Sequence, residues 1–134
     1  MYLIDASVLN RLRDDRMRAV VRTYSDRNEI ARAGITDLEY FFSARNEREW
    51  DMLNETISIF EPVHVESRHF VRAAQVQRIL ATKSQRGRKP LDLLVAAVAE
   101  DLGFTVLHYD ADFDLIADVT GQSCQWVIPA GTID

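Results

Sequence analysis

Only one cysteine, three prolines and five glycines occur in the 134 residues, and each shortage excludes something. Cys124 has no second thiol to pair with, so no internal disulfide holds the fold, and a reducing cytoplasm is the expected setting. The first residues read as a strand rather than as a targeting segment. No Pro/Gly/Ser-rich stretch, low-complexity run or repeat divides the chain, which reads as one domain over residues 1–134. The longest apolar run, Leu93 to Ala99, is far too short to cross a bilayer, so no membrane association is expected. The three histidines, His64, His69 and His108, lack ligand spacing, which argues against a zinc centre. Basic charge is also in deficit: 16 Lys and Arg against 21 Asp and Glu leave a net charge of −5, so the overall field repels a polyanion. Contact with nucleic acid would fall to local clusters, of which there are two: Arg86, Arg88 and Lys89, and Arg11, Arg13, Arg16 and Arg18.

What is present is a strict alternation of short apolar runs and amphipathic stretches. Tyr2 to Ile4, Asn28 to Ala33, Val63 to Val65, Thr105 to Tyr109 and Gln125 to Ile128 read as strands. Between them fall a short helix capped by Ser7, and helices over Asp15 to Tyr24, from Thr36 through Phe42, over Asn46 to Phe60, Glu66 to Lys83, Pro90 to Leu102 and Phe113 to Val119. The order predicts an α/β fold, a central and mainly parallel β-sheet flanked by helices in three layers. The stretch Pro90 to Glu100 is apolar almost throughout and reads as a buried helix, with Pro90 suited to its first turn and Gly103 to its end. His69 is expected on the surface of its helix. The aromatic run Tyr40, Phe41 and Phe42 reads as core or subunit interface rather than a base-stacking platform.

Acidic residues stand where this chemistry can use them. Asp5 follows the first strand, Asp110 follows the fourth, and Glu39 and Asp92 lie in the first turns of helices that open at the same sheet edge. In open α/β sheets the functional crevice lies beyond the C-terminal ends of the strands. Three of the four positions also have a plainer explanation: a turn bond for Asp5, a capping box of Thr36 with Glu39, and helix capping by Asp110 or Asp112. If the four converge, two carboxylates about 5 Å apart in an effective dielectric near 20 repel by roughly 3 kcal/mol. A divalent cation removes that cost, and oxygen-only donors select Mg²⁺ or Mn²⁺, ions suited to phosphodiester hydrolysis. Gly87-Arg88-Lys89-Pro90 is not a phosphate-cradling P-loop, since it lacks the first glycine and the hydroxyl residue after the lysine.

Four blocks carry a resemblance: Tyr2-Leu3-Ile4-Asp5-Ala6-Ser7, Thr36-Asp37-Leu38-Glu39, Pro90-Leu91-Asp92-Leu93-Leu94-Val95-Ala96-Ala97 and Leu107-His108-Tyr109-Asp110-Ala111-Asp112-Phe113. In order, and across essentially the whole chain, they resemble the signature blocks of the PIN-domain nucleases. The short, bare design further resembles the VapC-type toxins of bacterial toxin–antitoxin pairs. The resemblance implies a PIN-like fold and a metal-dependent endoribonuclease in which Asp5, Glu39, Asp92 and Asp110 form an acidic tetrad around Mg²⁺ or Mn²⁺. It implies assistance from Ser7, Thr36 and Asp112, a homodimer, an RNA substrate and inhibition by a cognate antitoxin. Asp110, Asp112 and Asp114 compete for the fourth position, and Asp110 is preferred as nearest to the strand. Arg86, Arg88, Lys89 and Arg11 are the candidate RNA contacts. The alternatives are a PIN-type nuclease of RNA maturation or of DNA, and a catalytically idle module whose acidic pocket binds a partner. A phosphoacceptor receiver fits less well, because no adjacent acidic pair follows the first strand and no lysine lies near a late strand end.

Overall fold

The computed structural model describes residues 1–84 and 89–133. The elements run β1 (Tyr2–Ile4), α1 (Ala6–Leu9), α2 (Asp15–Asp26), β2 (Ile30–Ala33), α3 (Gly34–Phe41), α4 (Glu47–Ile57), β3 (Glu61–Val63), α5 (Ser67–Thr82), α6 (Pro90–Leu102), β4 (Thr105–His108), α7 (Asp112–Thr120) and β5 (Cys124–Trp126). The strands form one sheet in the order β3-β2-β1-β4-β5, and every neighbouring pair is parallel. From β1 the chain builds outward through β2 and β3, then crosses to the other side of β1 for β4 and β5. The topological switch therefore lies between β1 and β4, where Ile4 pairs with Leu107 and Asp5 N–H donates to Leu107 O at 3.0 Å.

Period-two alternation sends successive strand residues to opposite faces. Leu3, Ala31, Ala33 and Val106 pack on one face with Ala73, Val76 and Leu80 of α5, the apolar side of α6, and Phe113 and Ile116 of α7. Ile4, Ile30 and Leu107 pack on the other with Val8 and Leu9 of α1, Met17 and Val21 of α2, Tyr40 of α3 and Ile57 of α4. The three-layer expectation holds. Helix α6 is buried continuously from Asp92 to Ala99, because α5, α7 and the sheet enclose it. Pro90 stands in its first turn, and Gly103 ends it at φ 70°, a left-handed conformation that glycine adopts without a Cβ penalty. Asp14 and Asn46 cap α2 and α4. No helix among the described residues is long and apolar enough to cross a membrane.

The structure corrects several local expectations. Ser7 does not cap α1; Asp5 does, accepting the Ser7 N–H, and Ser7 lies inside the helix. The capping box of Thr36 and Glu39 is absent, since α3 starts two residues earlier, at Gly34, with Ala33 as a cap that makes no side-chain bond. β2 begins at Ile30 rather than Asn28, because Asn28 has φ 54° and so cannot be extended. β3 is Glu61–Val63, two residues earlier than expected; Pro62 lies inside it, which its place at the sheet edge permits. β5 starts at Cys124 and ends at Trp126, after which Val127 and Ile128 are buried outside the strand. His69 is not a surface residue. It is 2% exposed, its Nδ1 accepts the Glu66 N–H at 2.9 Å, and its Nε2 meets Asp101 Oδ2 at 2.9 Å. Tyr40 is core, Phe41 stacks on Trp50 at 4.7 Å between ring centres, and Phe42 is 91% exposed.

Candidate active site

The β1–β4 switch gathers the acidic residues. Asp5 leaves the end of β1 and is almost completely buried; its Oδ2 accepts the Ser7 N–H at 2.9 Å, and its Oδ1 has no partner among the described residues. Asp92 rises into the same space from the first turn of α6, with Oδ2 buried and without a partner among the described residues. Glu39 enters from α3 with Oε1 in the same condition. Asp110 follows β4, and oxygens of Asp92, Asp110 and Asp112 all lie within 4.8 Å of one another. Buried polar atoms are ordinarily paired, so a group of unpaired carboxylate oxygens is a costly arrangement for a protein to keep.

The electrostatics record that cost. Burial pushes Asp92 up to about 8, with the charges of Asp5, Asp110 and Asp112 adding to it and Lys89 opposing. Burial likewise raises Asp5, against hydrogen bonds from Ser7 and with repulsion from Asp110, and it raises Glu39 together with the charge of Asp5. Asp110 runs the other way: burial pushes it up, but the Lys89 ammonium and the Asp112 N–H outweigh that and hold it low. Lys89 Nζ donates to Asp110 Oδ2 at 2.8 Å, and Asp112 N–H donates to Asp110 Oδ1 at 2.9 Å.

Around the acids stand positioning contacts. Ser7 Oγ accepts the Tyr109 N–H at 2.9 Å, tying α1 to the end of β4, while its hydroxyl also serves Asp5. Thr36 is fully buried with its Oγ1 unpartnered. Arg11 lies over the Tyr109 ring at 5.2 Å and donates to Ser7 O. Asp114 is engaged elsewhere, its carboxylate accepting the Trp126 indole N–H at 3.1 and 3.2 Å. Arg86 and Arg88 lie outside the described residues.

Two contacts of the site carry little local signal in the sequence. His108 Nδ1 accepts the Asp110 N–H at 3.2 Å, fixing the backbone that carries that carboxylate; its place two residues before Asp110 was the available signal. The ion pair of Lys89 with Asp110 spans 21 positions and left no local signal. Beside the acids, a groove of about 1170 Å³ runs between α2, α3 and α4, reached by Glu39 at one end. Leu12, Val21, Tyr40 and Leu53 are among its apolar lining, and its charged lining is mixed, with Arg13, Arg18, Arg22 and Arg45 against Asp26, Glu39 and Glu49, Arg18 being paired with Asp15 and Arg45 with Glu49.

Carboxylates at the switch point of a parallel sheet place an all-oxygen donor set, the kind hard cations prefer, in the crevice where open α/β folds bind their ligands. Residues 2–119 match the PIN domain, and the chain belongs to the PIN-domain family. It is 53% identical to Ribonuclease VapC51 of Mycobacterium tuberculosis over 133 residues, covering 99% of this chain and 97% of that protein. It is 38% identical to Ribonuclease VapC21 of the same organism, covering 98% and 96%. Among solved structures, VapBC2 from Rickettsia felis bound to a promoter DNA fragment shares the fold at TM-score 0.78 and 17% identity, covering 93% of this chain and 98% of that one.

Proposed function

We propose that this protein is a metal-dependent endoribonuclease, the toxin of a toxin–antitoxin pair, working in the cytoplasm as one domain. The observation that carries the reading is the grouping of Asp92, Asp110 and Asp112 oxygens within 4.8 Å of one another, together with buried oxygens on Asp5, Glu39 and Asp92 that have no partner among the described residues. This donor set is all oxygen and strongly anionic, which fits Mg²⁺ or Mn²⁺. Asp5, Glu39, Asp92 and Asp110 would hold the ion, with Asp112 within reach of the same position. When bound, the ion supplies activation of the attacking water and neutralisation of charge on the scissile phosphate.

The chain's own residues do the rest. Ser7 bonds Asp5 and the Tyr109 N–H, His108 fixes the Asp110 backbone, and Thr36 is buried in the helix that carries Glu39. Burial of the acids excludes water that would screen them. Lys89, with Arg11, Arg86 and Arg88, would hold phosphates flanking the cleaved bond, the role that local basic clusters play on an otherwise acidic protein. The VapC relatives named as ribonucleases support RNA as the substrate.

The cognate antitoxin would lie in the groove between α2, α3 and α4, whose apolar lining and arginines suit an amphipathic helix with acidic flanks. The VapBC complexes that share the fold support a protein partner of this kind. The exposed Leu38 on α3 suits an interface between two copies, while the exposed Phe42, just past the end of that helix, lines the groove.

The test is incubation with total cellular RNA and Mn²⁺ or Mg²⁺, beside an EDTA control and Asp92→Asn. Discrete fragments that need both the metal and Asp92 are expected. Cleavage that persists in EDTA, or in Asp92→Asn, would overturn the reading; cleavage of matched DNA hairpins instead of RNA would redirect it to DNA.

A further inference from the structure

Asp110 is the one member of the acidic tetrad whose two oxygens are both engaged: Oδ1 by the Asp112 N–H and Oδ2 by Lys89 Nζ, at 2.9 and 2.8 Å. The same carboxylate lies with Asp92 and Asp112 in the group of oxygens close enough to share a cation. The ammonium is not confined to this one contact. Its charge also acts on Glu39, Asp92 and Asp112, so its field reaches acids beyond its hydrogen-bonded partner.

The contact is also built to be given up. The Lys89 side chain is 64% exposed, and exposed ion pairs are weak. Its backbone is held independently of the side chain, because Lys89 O accepts N–H bonds from Asp92 and Leu93 in the first turn of α6. A flexible four-carbon stem on a fixed backbone can swing without disturbing Asp92.

We propose that Lys89 is a displaceable counter-ion: its ammonium competes with the divalent cation for Asp110, and on displacement it turns outward to bind an RNA phosphate. This rests on the metal-dependent reading above and adds a coupling to it. The two like charges cannot share one cluster cheaply, so cation binding expels the ammonium. The expelled group remains tethered at the mouth of the site, where a phosphate backbone supplies a new partner. Metal loading thereby raises RNA affinity through a side chain that does not ligate the metal.

The experiment is calorimetry with Mn²⁺ alone on the wild-type protein, Lys89→Gln and Lys89→Arg. Removing the competitor in Lys89→Gln should tighten Mn²⁺ binding about tenfold, which corresponds to about 1.4 kcal/mol, whereas Lys89→Arg keeps the charge and stays near wild type. Equal or weaker Mn²⁺ affinity in Lys89→Gln overturns the exchange, since a lysine that merely braced Asp110 would loosen the site when removed. Absence of Mn²⁺ binding by every variant strikes instead at the metal-dependent reading and takes the exchange with it. On the unmutated protein, the Lys89 ammonium ¹⁵N resonance should shift on saturation with Mg²⁺; an unmoved resonance refutes displacement even if Lys89→Gln does not fold. For the phosphate contact, an RNA hairpin bound in Ca²⁺ should show a log Kd against log salt slope about one greater for wild type than for Lys89→Gln, and equal slopes would overturn that half.

Discussion

Replacing Asp92 by Asn should stabilise the chelated protein while abolishing its chemistry, and the stabilisation should depend on pH. Asp92 is 3% exposed, and burial with repulsion from Asp5 and Asp110 carries its carboxyl from 3.8 to about 8. Below about pH 4 the group is protonated both folded and unfolded, so it costs nothing. Between pH 4 and pH 8 the unfolded chain releases the proton while the folded chain retains it, and folding is progressively penalised. Above about 8 the group is ionised in both states and the penalty is constant. At about 1.4 kcal/mol per unit, pH 7 lies some three units into this window, an upper figure of about 4 kcal/mol. Part of that is repulsion that relaxes when the side chains move apart, leaving about 2 to 4 kcal/mol. For a domain of this size the melting temperature should rise on the order of 10 °C in Asp92→Asn at pH 7 to 8 in EDTA. The gap should narrow to under about 1 kcal/mol towards pH 4. Saturating Mn²⁺ should raise the wild type towards the variant, because the ion favours the ionised carboxylate. Thermal melts by circular dichroism across pH 4 to 8, in EDTA and in Mn²⁺, make the comparison. A variant no more stable than wild type at pH 8, or a gap that does not change with pH, would refute the electrostatic account of this site.

Other consequences follow from single positions. His69→Ala should cost about 1 to 3 kcal/mol, measured by urea denaturation, because it leaves the Glu66 N–H without its acceptor beneath α5; a loss under about 0.5 kcal/mol would assign His69 a passive place. Gly103→Ala should cost about 1 kcal/mol in the same assay, since φ 70° strains any residue with a Cβ. Cys124, whose thiol burial pushes up to about 12, should react with iodoacetamide at pH 8 far more slowly in the folded protein than in urea. Equal labelling rates would show that the thiol is open to solvent.

The α/β architecture was legible in the sequence because it rests on local rules, and the candidate acids stood out as carboxylates at strand and helix ends. Short apolar runs alternating with amphipathic stretches leave few choices but a parallel sheet, and an acid that ends a strand in such a sheet has its place set by topology. The helix from Pro90 was plain for the same reason: seven apolar residues in succession after Asp92 cannot face water. Strand and cap boundaries were less legible. Ser7, Thr36 and Glu39 all have the composition of cap residues, and composition does not say which side chain reaches the free N–H groups; the backbone angles at Asp5 and Ala33 decided it.

What the sequence determined by itself was the set of chemical groups and the parallel α/β class that carries them to one sheet edge, since element type follows from periodicity and parallel pairing from the alternation of strands with helices. Only the tertiary structure decided which of those groups are satisfied. It buried His69 against Asp101, turned Asp114 to Trp126, and set Lys89 on Asp110 while leaving oxygens of Asp5, Glu39 and Asp92 unpaired. These are contacts between side chains distant in the chain. Their geometry depends on how helices α5, α6 and α7 pack against the sheet, and no residue carries that information alone.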